Sequence, residues 1–260
     1  MKTKVVYKSR QEKILMEELA ESSMINMEQL HDIKKYYSED VAYHNFLHAL
    51  TVATKVLELS CDKYNIIEVR SLFIAALFHD AGHKWTAEDL DEFRSLDIAF
   101  ENIEKFEKKY NFEWIDVSIV RNAIMWTVFK KRGTNANKYA RIMADLDIHT
   151  LGLDFVEFLY YADFGMAVEI GEHTNWKLDL EKWFSNISFF KFLLWVNKKI
   201  FLIQGFQDEF LHNSLYNIER YIQISKNDFK NIKGEKIIEI FNTWKNNDIT
   251  LEEFKKEYFD

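Results

Sequence analysis

The sequence predicts an all-α fold, a single helical bundle, and three observations predict it. There is no proline among the 260 residues and there are only seven glycines. Proline and glycine punctuate loops and sheet edges, so a chain this poor in both reads as long helices joined by short polar turns. Between 96 and 110, Leu96, Ala99, Phe100, Ile103, Phe106 and Tyr110 fall on one face at helical spacing, with Glu101, Glu104, Lys105 and Lys108 on the other. Two capping signals complete the pattern. In "TAED" Thr86 would cap a helix and Asp89 answer at its third position, and "TLEE" at 250 to 253 repeats the device.

With 48% apolar residues the chain can bury a sizeable core. No Gly/Ser-rich linker, low-complexity tract or regular repeat divides it, so one domain over 1–260 is expected. Its 34 basic and 42 acidic residues give a net charge of -8. That balance, with no Lys/Arg cluster of the kind that tracks a duplex, argues against a double-stranded nucleic acid partner and for a small ligand. Cys61 is the only cysteine, which excludes an intramolecular disulfide and suits a reducing cytosol. The start "MKTKVVYKSRQEK" has no apolar segment of the signal-peptide kind, and no apolar run approaches the roughly 18 residues that span a bilayer. A cytoplasmic location without membrane contact is expected, with self-association left open.

The chemistry is concentrated in a few stretches. "YHNFLHAL", residues 43 to 50, places His44 and His48 at i and i+4 above an apolar stripe of Ala49, Val52, Val56 and Leu59. Taken alone, the pair reads as packed core histidines. "SLFIAALFHDAGH" changes that balance: a nearly all-apolar helix from Leu72 to Phe78 ends in His79, Asp80 and His83, with Gly82 allowing the chain to turn. A histidine and an adjacent carboxylate buried at the end of such a helix are costly unless paired or coordinated. "IMADLDIHTLG", residues 142 to 152, again delivers carboxylates from an apolar segment. Asp145 and Asp147 lie on different helix faces, and Asp145, directly after "IMA", is the one expected to face the histidines. His149 would be its partner or a surface residue. Further on, the aromatic-rich stretch 183 to 206, broken by Lys191, Lys198 and Lys199, reads as core helix and not as a membrane span.

The conjunction H…HD…D over residues 40 to 152 resembles the HD superfamily of metal-dependent phosphohydrolases. "YHNFLH" with "HDAGH" is most similar to the branch that includes the cyclic-nucleotide phosphodiesterases. The resemblance implies a bundle of that type, with the metal-site core at about 40–152 and residues 153–260 completing the pocket. It implies His48, His79, Asp80 and Asp145 as metal ligands, His44 as general acid, and His83 near a second metal. The cofactors implied are two divalent ions that share Asp80 and activate a water for attack on phosphorus. Imidazole with carboxylate suits zinc, iron or manganese at the tighter site, and one carboxylate with waters suits magnesium or manganese at the other. In "GFQDEFL", Gln207 and Phe210 match the spacing of the glutamine and aromatic pair that clamps a purine in those enzymes, although a surface Gln207 with Phe210 in the core reads equally well. Tyr43 and Asn45 flank the first histidine as further candidates for substrate contact, although bracing the start of the helix suits them equally well.

Related branches differ at nameable residues. The cyclic-nucleotide enzymes carry Pro-Gly after HDxxH where this chain has Lys84 and Trp85, and "DEFRS", with Glu92 and Ser95, resembles instead the small bacterial HD phosphohydrolases of unassigned substrate. The HD-GYP enzymes need a proline, and the dinuclear-iron oxygenases of the superfamily need histidines between His83 and Asp145; this chain has neither. The expectation is therefore hydrolysis of a small phosphate ester, first a phosphodiester such as a cyclic nucleotide. A nucleotide phosphomonoesterase on the same site is the alternative, and a non-catalytic metal-binding or nucleotide-binding module is a third reading that retention of His44 disfavours.

Overall fold

The computed structural model describes residues 5–59, 63–84, 90–110, 115–128, 136–173, 191, 193–195, 200–227 and 232–258. Among them every regular element is helical. The chain divides into two compact units: Glu12–Glu39 with His44–Asp147, and Met1–Gln11 with Asp40–Tyr43 and Ile148–Asp260. The Thr86–Asp89 cap, Cys61 and most of 183–206 lie outside the described residues.

The first unit is built around one helix. Helices α1 (Ser9–Glu21), α2 (Met27–Lys34) and α3 (Phe46–Leu57) precede α4 (Ile66–Phe78), which is apolar around its whole circumference from Leu72 onward. Such a helix is stable in water only where neighbours cover every face. They do: α3, α5 (Leu90–Tyr110), α6 (Val117–Met125) and α7 (Lys138–Asp147) all pack on it, and Leu72 to Phe78 are at most 1% exposed. The face predicted for α5 is the one that turns inward, with Leu96, Ala99, Ile103 and Phe106 buried and Glu101, Glu104, Lys105 and Lys108 exposed.

Local chemistry sets where these helices start. Asn65 caps the amides of Ile67 and Glu68, and Glu68 returns to the Asn65 amide at 2.8 Å, a reciprocal capping box. The Glu68 carboxylate also accepts from Lys138 Nζ and Tyr139 OH at the first turn of α7. The starts of α4 and α7 are thereby tied together. At 1.5 Å per residue the two helices run on for similar lengths, roughly 14–16 Å, so their C-terminal ends emerge side by side.

The second unit contains a 3-10 turn (His149–Gly152), α8 (Phe155–Phe158), a π-helical segment (Leu159–Asp163) and α9 (Phe164–His173). A second π segment (Gln207–Leu211) leads into α10 (His212–Asn227), followed by α11 (Ile232–Asn246) and α12 (Leu251–Tyr258). The "TLEE" cap forms as expected: the Thr250 amide donates to Glu253 Oε2 at 3.0 Å and the Glu253 amide to Thr250 Oγ1 at 3.3 Å. Phe164 packs among Phe241, Trp244 and Phe254, at ring distances of 5.3 to 6.2 Å. Among the described residues no helix is long and apolar enough to cross a membrane.

Candidate metal centre

Four side chains of the first unit converge where α3, α4 and α7 meet. α3 begins at Phe46, capped by Asn45, whose side chain accepts from the His48 amide at 3.2 Å. His48 therefore sits in the first turn, and His44 lies just before the helix, not one turn along it. His79 follows the last residue of α4, Asp80 comes next, and Asp147 is the last residue of α7. His48 Nε2 is 3.0 Å from Asp147 Oδ1 and 3.7 Å from Asp80 Oδ2, while His79 Nε2 is 3.1 Å from Asp80 Oδ2 and 3.3 Å from Asp147 Oδ1. One ligand atom from each of the four falls within 4.8 Å of the others.

The donor set fits a divalent cation. His79 Nδ1 lies 2.8 Å from the Ala76 carbonyl, which can only accept, so Nδ1 carries a proton and Nε2 is the ring atom turned to the carboxylates. His79 Nε2 and Asp80 Oδ2 are both buried and face each other at 3.1 Å. Two buried carboxylates packed against two imidazoles need positive charge among them, which a proton on the rings or a bound cation supplies. The electrostatics agree. Burial alone would lower the pKa of His79, but Asp80 and Asp147 outweigh it and hold it well above the ordinary histidine value. Burial would likewise raise the Asp80 carboxyl, yet His79, His44 and His48 hold it well down, and hydrogen bonds from His48 and His79 do the same for Asp147 against its own burial.

Around this cluster the "HDAGH" turn is pinned by α5. Gly82 has φ +72°, and its amide donates to the Tyr36 carbonyl at 2.8 Å. Ser95 Oγ donates to the Ala81 carbonyl at 3.0 Å and Arg94 to the Gly82 carbonyl at 3.0 Å, while Asp91 accepts from the Lys84 amide at 3.0 Å and from Arg94. The turn delivers His83 onto His44: the two rings stack at 4.2 Å and 14°, with His83 Nδ1 3.9 Å from Asp91 Oδ2.

No protein family's sequence profile matches the chain, and no curated protein sequence matches it. Solved structures do. The phosphodiesterase domain of the Salpingoeca rosetta rhodopsin phosphodiesterase superposes with a TM-score of 0.59 at 17% identity, over 77% of this chain and 80% of that one. A second structure, of the phosphodiesterase domain of the RhoPDE fusion protein from the same choanoflagellate, gives 0.60 at 16% identity, over 86% and 91%. The chain has the phosphodiesterase-domain fold.

Within that fold the sequence-predicted residues divide. His48, His79 and Asp80 meet as expected, and His44 and His83 stand together beside them. Asp145 does not join them. It is wholly buried within α7, about 200° around the helix from Asp147, and Asp147 takes the place assigned to it. Periodicity does not separate the two: Ala140, Met143 and Ala144 form a buried stripe that runs into Asp147, and Ile142 and Leu146 are buried beside Asp145. Asn45 is a helix cap, and Tyr43 is buried with its amide donating to the Glu169 carboxylate at 2.6 Å, so both brace the chain beside His44, one of the two roles expected of them. Of the two readings of Gln207 and Phe210, the structure fits the one with Phe210 in the core. Phe210 is 4% exposed, stacks on Phe206 at 6.0 Å and presses on Gly152, where a Cβ would come within 2.4 Å of Phe210 Cβ. Gln207 spends its amide nitrogen on the Phe201 carbonyl at 2.9 Å.

Proposed function

We propose that the protein is a metal-dependent phosphohydrolase that cleaves a phosphodiester, with a cyclic nucleotide or related nucleotide as its substrate class. The observation that carries this reading is the convergence of His48, His79, Asp80 and Asp147 in a phosphodiesterase-domain fold. These four residues would hold a divalent ion, and mixed imidazole and carboxylate donors favour zinc, iron or manganese, with magnesium or manganese at a second, water-rich site sharing Asp80. Bound there, such ions supply Lewis acidity and a water of lowered pKa. The chain's own residues do the rest. Asp80 and Asp147 hold the two imidazoles in place, and the Ala76 carbonyl fixes the tautomer of His79. His44, outside the helix and stacked on His83, is the proton donor for the leaving oxygen.

The test is chelator-treated protein reconstituted with manganese, magnesium or zinc and assayed on bis(p-nitrophenyl) phosphate, then on cyclic mono- and dinucleotides, linear dinucleotides and nucleoside phosphates. Metal-dependent diester turnover that disappears in His48→Ala and Asp80→Ala is expected. Full activity in Asp80→Ala would sink the proposal, and turnover confined to monoesters would make the protein a nucleotidase.

A further inference from the structure

A cleft of about 450 Å³ lies between α2 and α5 in the first unit, lined by Asp32, Lys35, Tyr36, Asn102 and Phe106 with Lys105, Lys108 and Lys109. Its size is within the roughly 300–1,000 Å³ of small-molecule sites. Its charge runs against that of the chain, with four lysines and one carboxylate in a protein of net charge -8. Lys105, Lys108 and Lys109 stand at i, i+3 and i+4 on one face of α5, an arrangement whose mutual repulsion a helix accepts at a cost. Three of the lysines lean on carboxylates: Lys35 on Asp32 at 2.5 Å, Lys108 on Glu104 at 2.6 Å, and Lys109 on Glu28 at 2.6 Å. Exposed pairs of this kind contribute little and are readily exchanged for a stronger anion. Lys105 makes no ion pair among the described residues.

The cleft wall is wired to the turn that carries His79 and Asp80. Tyr36 accepts the Gly82 amide on its carbonyl at 2.8 Å and donates from its hydroxyl to Asn102 at 3.2 Å, and its ring meets Phe78 at 6.4 Å. Phe106, on the opposite wall, meets the same Phe78 at 6.4 Å. Phe78 is the residue immediately before His79.

We infer that this cleft is a second ligand site, which takes a small, multiply charged phosphate ligand between Lys35 and the α5 lysines and transmits its occupancy through Tyr36 and Phe78 to the His79–Gly82 turn. The inference does not depend on the proposed activity, since neither the cleft nor its link uses the metal. An anion drawn between α2 and α5 closes the two helices on Tyr36 and tightens the bond from the Gly82 amide.

The experiment is calorimetric titration of inorganic pyrophosphate into chelator-treated full-length protein at low ionic strength, with hydrogen exchange of the Gly82 amide followed by NMR. Saturable binding is expected, weakened by about tenfold in the Lys105→Gln/Lys108→Gln protein, as loss of two charge-assisted phosphate contacts predicts, and unchanged in His48→Ala. Lys35→Gln, on the other helix, gives the same direction of change if the double variant is poorly folded by circular dichroism. Gly82 exchange should slow on binding in the unaltered protein and in His48→Ala alike. Absence of saturable binding, binding that survives the lysine changes, or binding lost in His48→Ala would overturn the site. Binding without any change in Gly82 exchange would overturn the link.

Discussion

Asp147 Oδ1 stands 3.0 Å from His48 Nε2, although 99 positions of sequence separate the two residues. Asp145, two residues earlier on the same helix, is wholly buried and does not join that group. Asp147→Asn should therefore weaken metal binding by at least the roughly 10–100-fold that loss of a supporting partner brings. Asp145→Asn should leave metal content unchanged and lower the thermal midpoint. Metal per chain by elemental analysis after dialysis separates the two, and an Asp145 variant that loses its metal would reverse the assignment.

Glu68 gives the pH dependence of folding a definite direction. Hydrogen bonds from Lys138 and Tyr139 bring its carboxyl from 4.5 down to about 2. A value depressed by folding means that the contribution is complete above 4.5 and is lost as pH falls toward 2. Glu68→Gln should cost about 1 kcal/mol at pH 7, discounted because Lys138 faces solvent, and nothing near pH 2. Urea unfolding at a series of pH values would show the acid limb flattening, and an equal loss at both ends would rule out the carboxylate as its source.

Gly82 occupies the left-handed region at φ +72°, and a Cβ there would lie 2.8 Å from Ile98 Cδ1 and 3.0 Å from Arg94 Cδ. Gly82→Ala should cost about 1–2 kcal/mol for the backbone conformation alone. It should also loosen the stack of His83 on His44, because Arg94, which would be displaced, holds the Gly82 carbonyl. Thermal denaturation reads the first effect, and histidine ring chemical shifts read the second.

Phe210→Ala distinguishes a packed ring from a base-stacking one. Its burial against Gly152 and Phe206 predicts a loss of about 3–5 kcal/mol, with the KM for a nucleotide substrate unchanged in the fraction that stays folded. A stable variant with a raised KM would restore Phe210 as a substrate contact.

Much of this was legible in the sequence for one reason: helical periodicity and burial are local properties. The absent prolines, the face of α5 and the all-apolar run before His79 each require only near neighbours to interpret. The grouping of His44, His48, His79, Asp80 and His83 follows from two short windows. Which aspartate completes the group does not, because it depends on how α7 is rotated about its axis against α4, a rotation set by the Ala140, Met143 and Ala144 stripe and by the Glu68 tie at the far end. Asn45 likewise became a cap only once α3 was seen to begin at Phe46, and Phe210 a core residue only once Gly152 was seen beneath it. The lysine-lined cleft lay beyond sequence reading altogether, since Lys35 and the α5 lysines are neighbours only through the packing of two helices remote in the chain. The helices and the chemical groups they carry are thus readable residue by residue, whereas which of those groups meet depends on helix rotation and packing that no local pattern encodes.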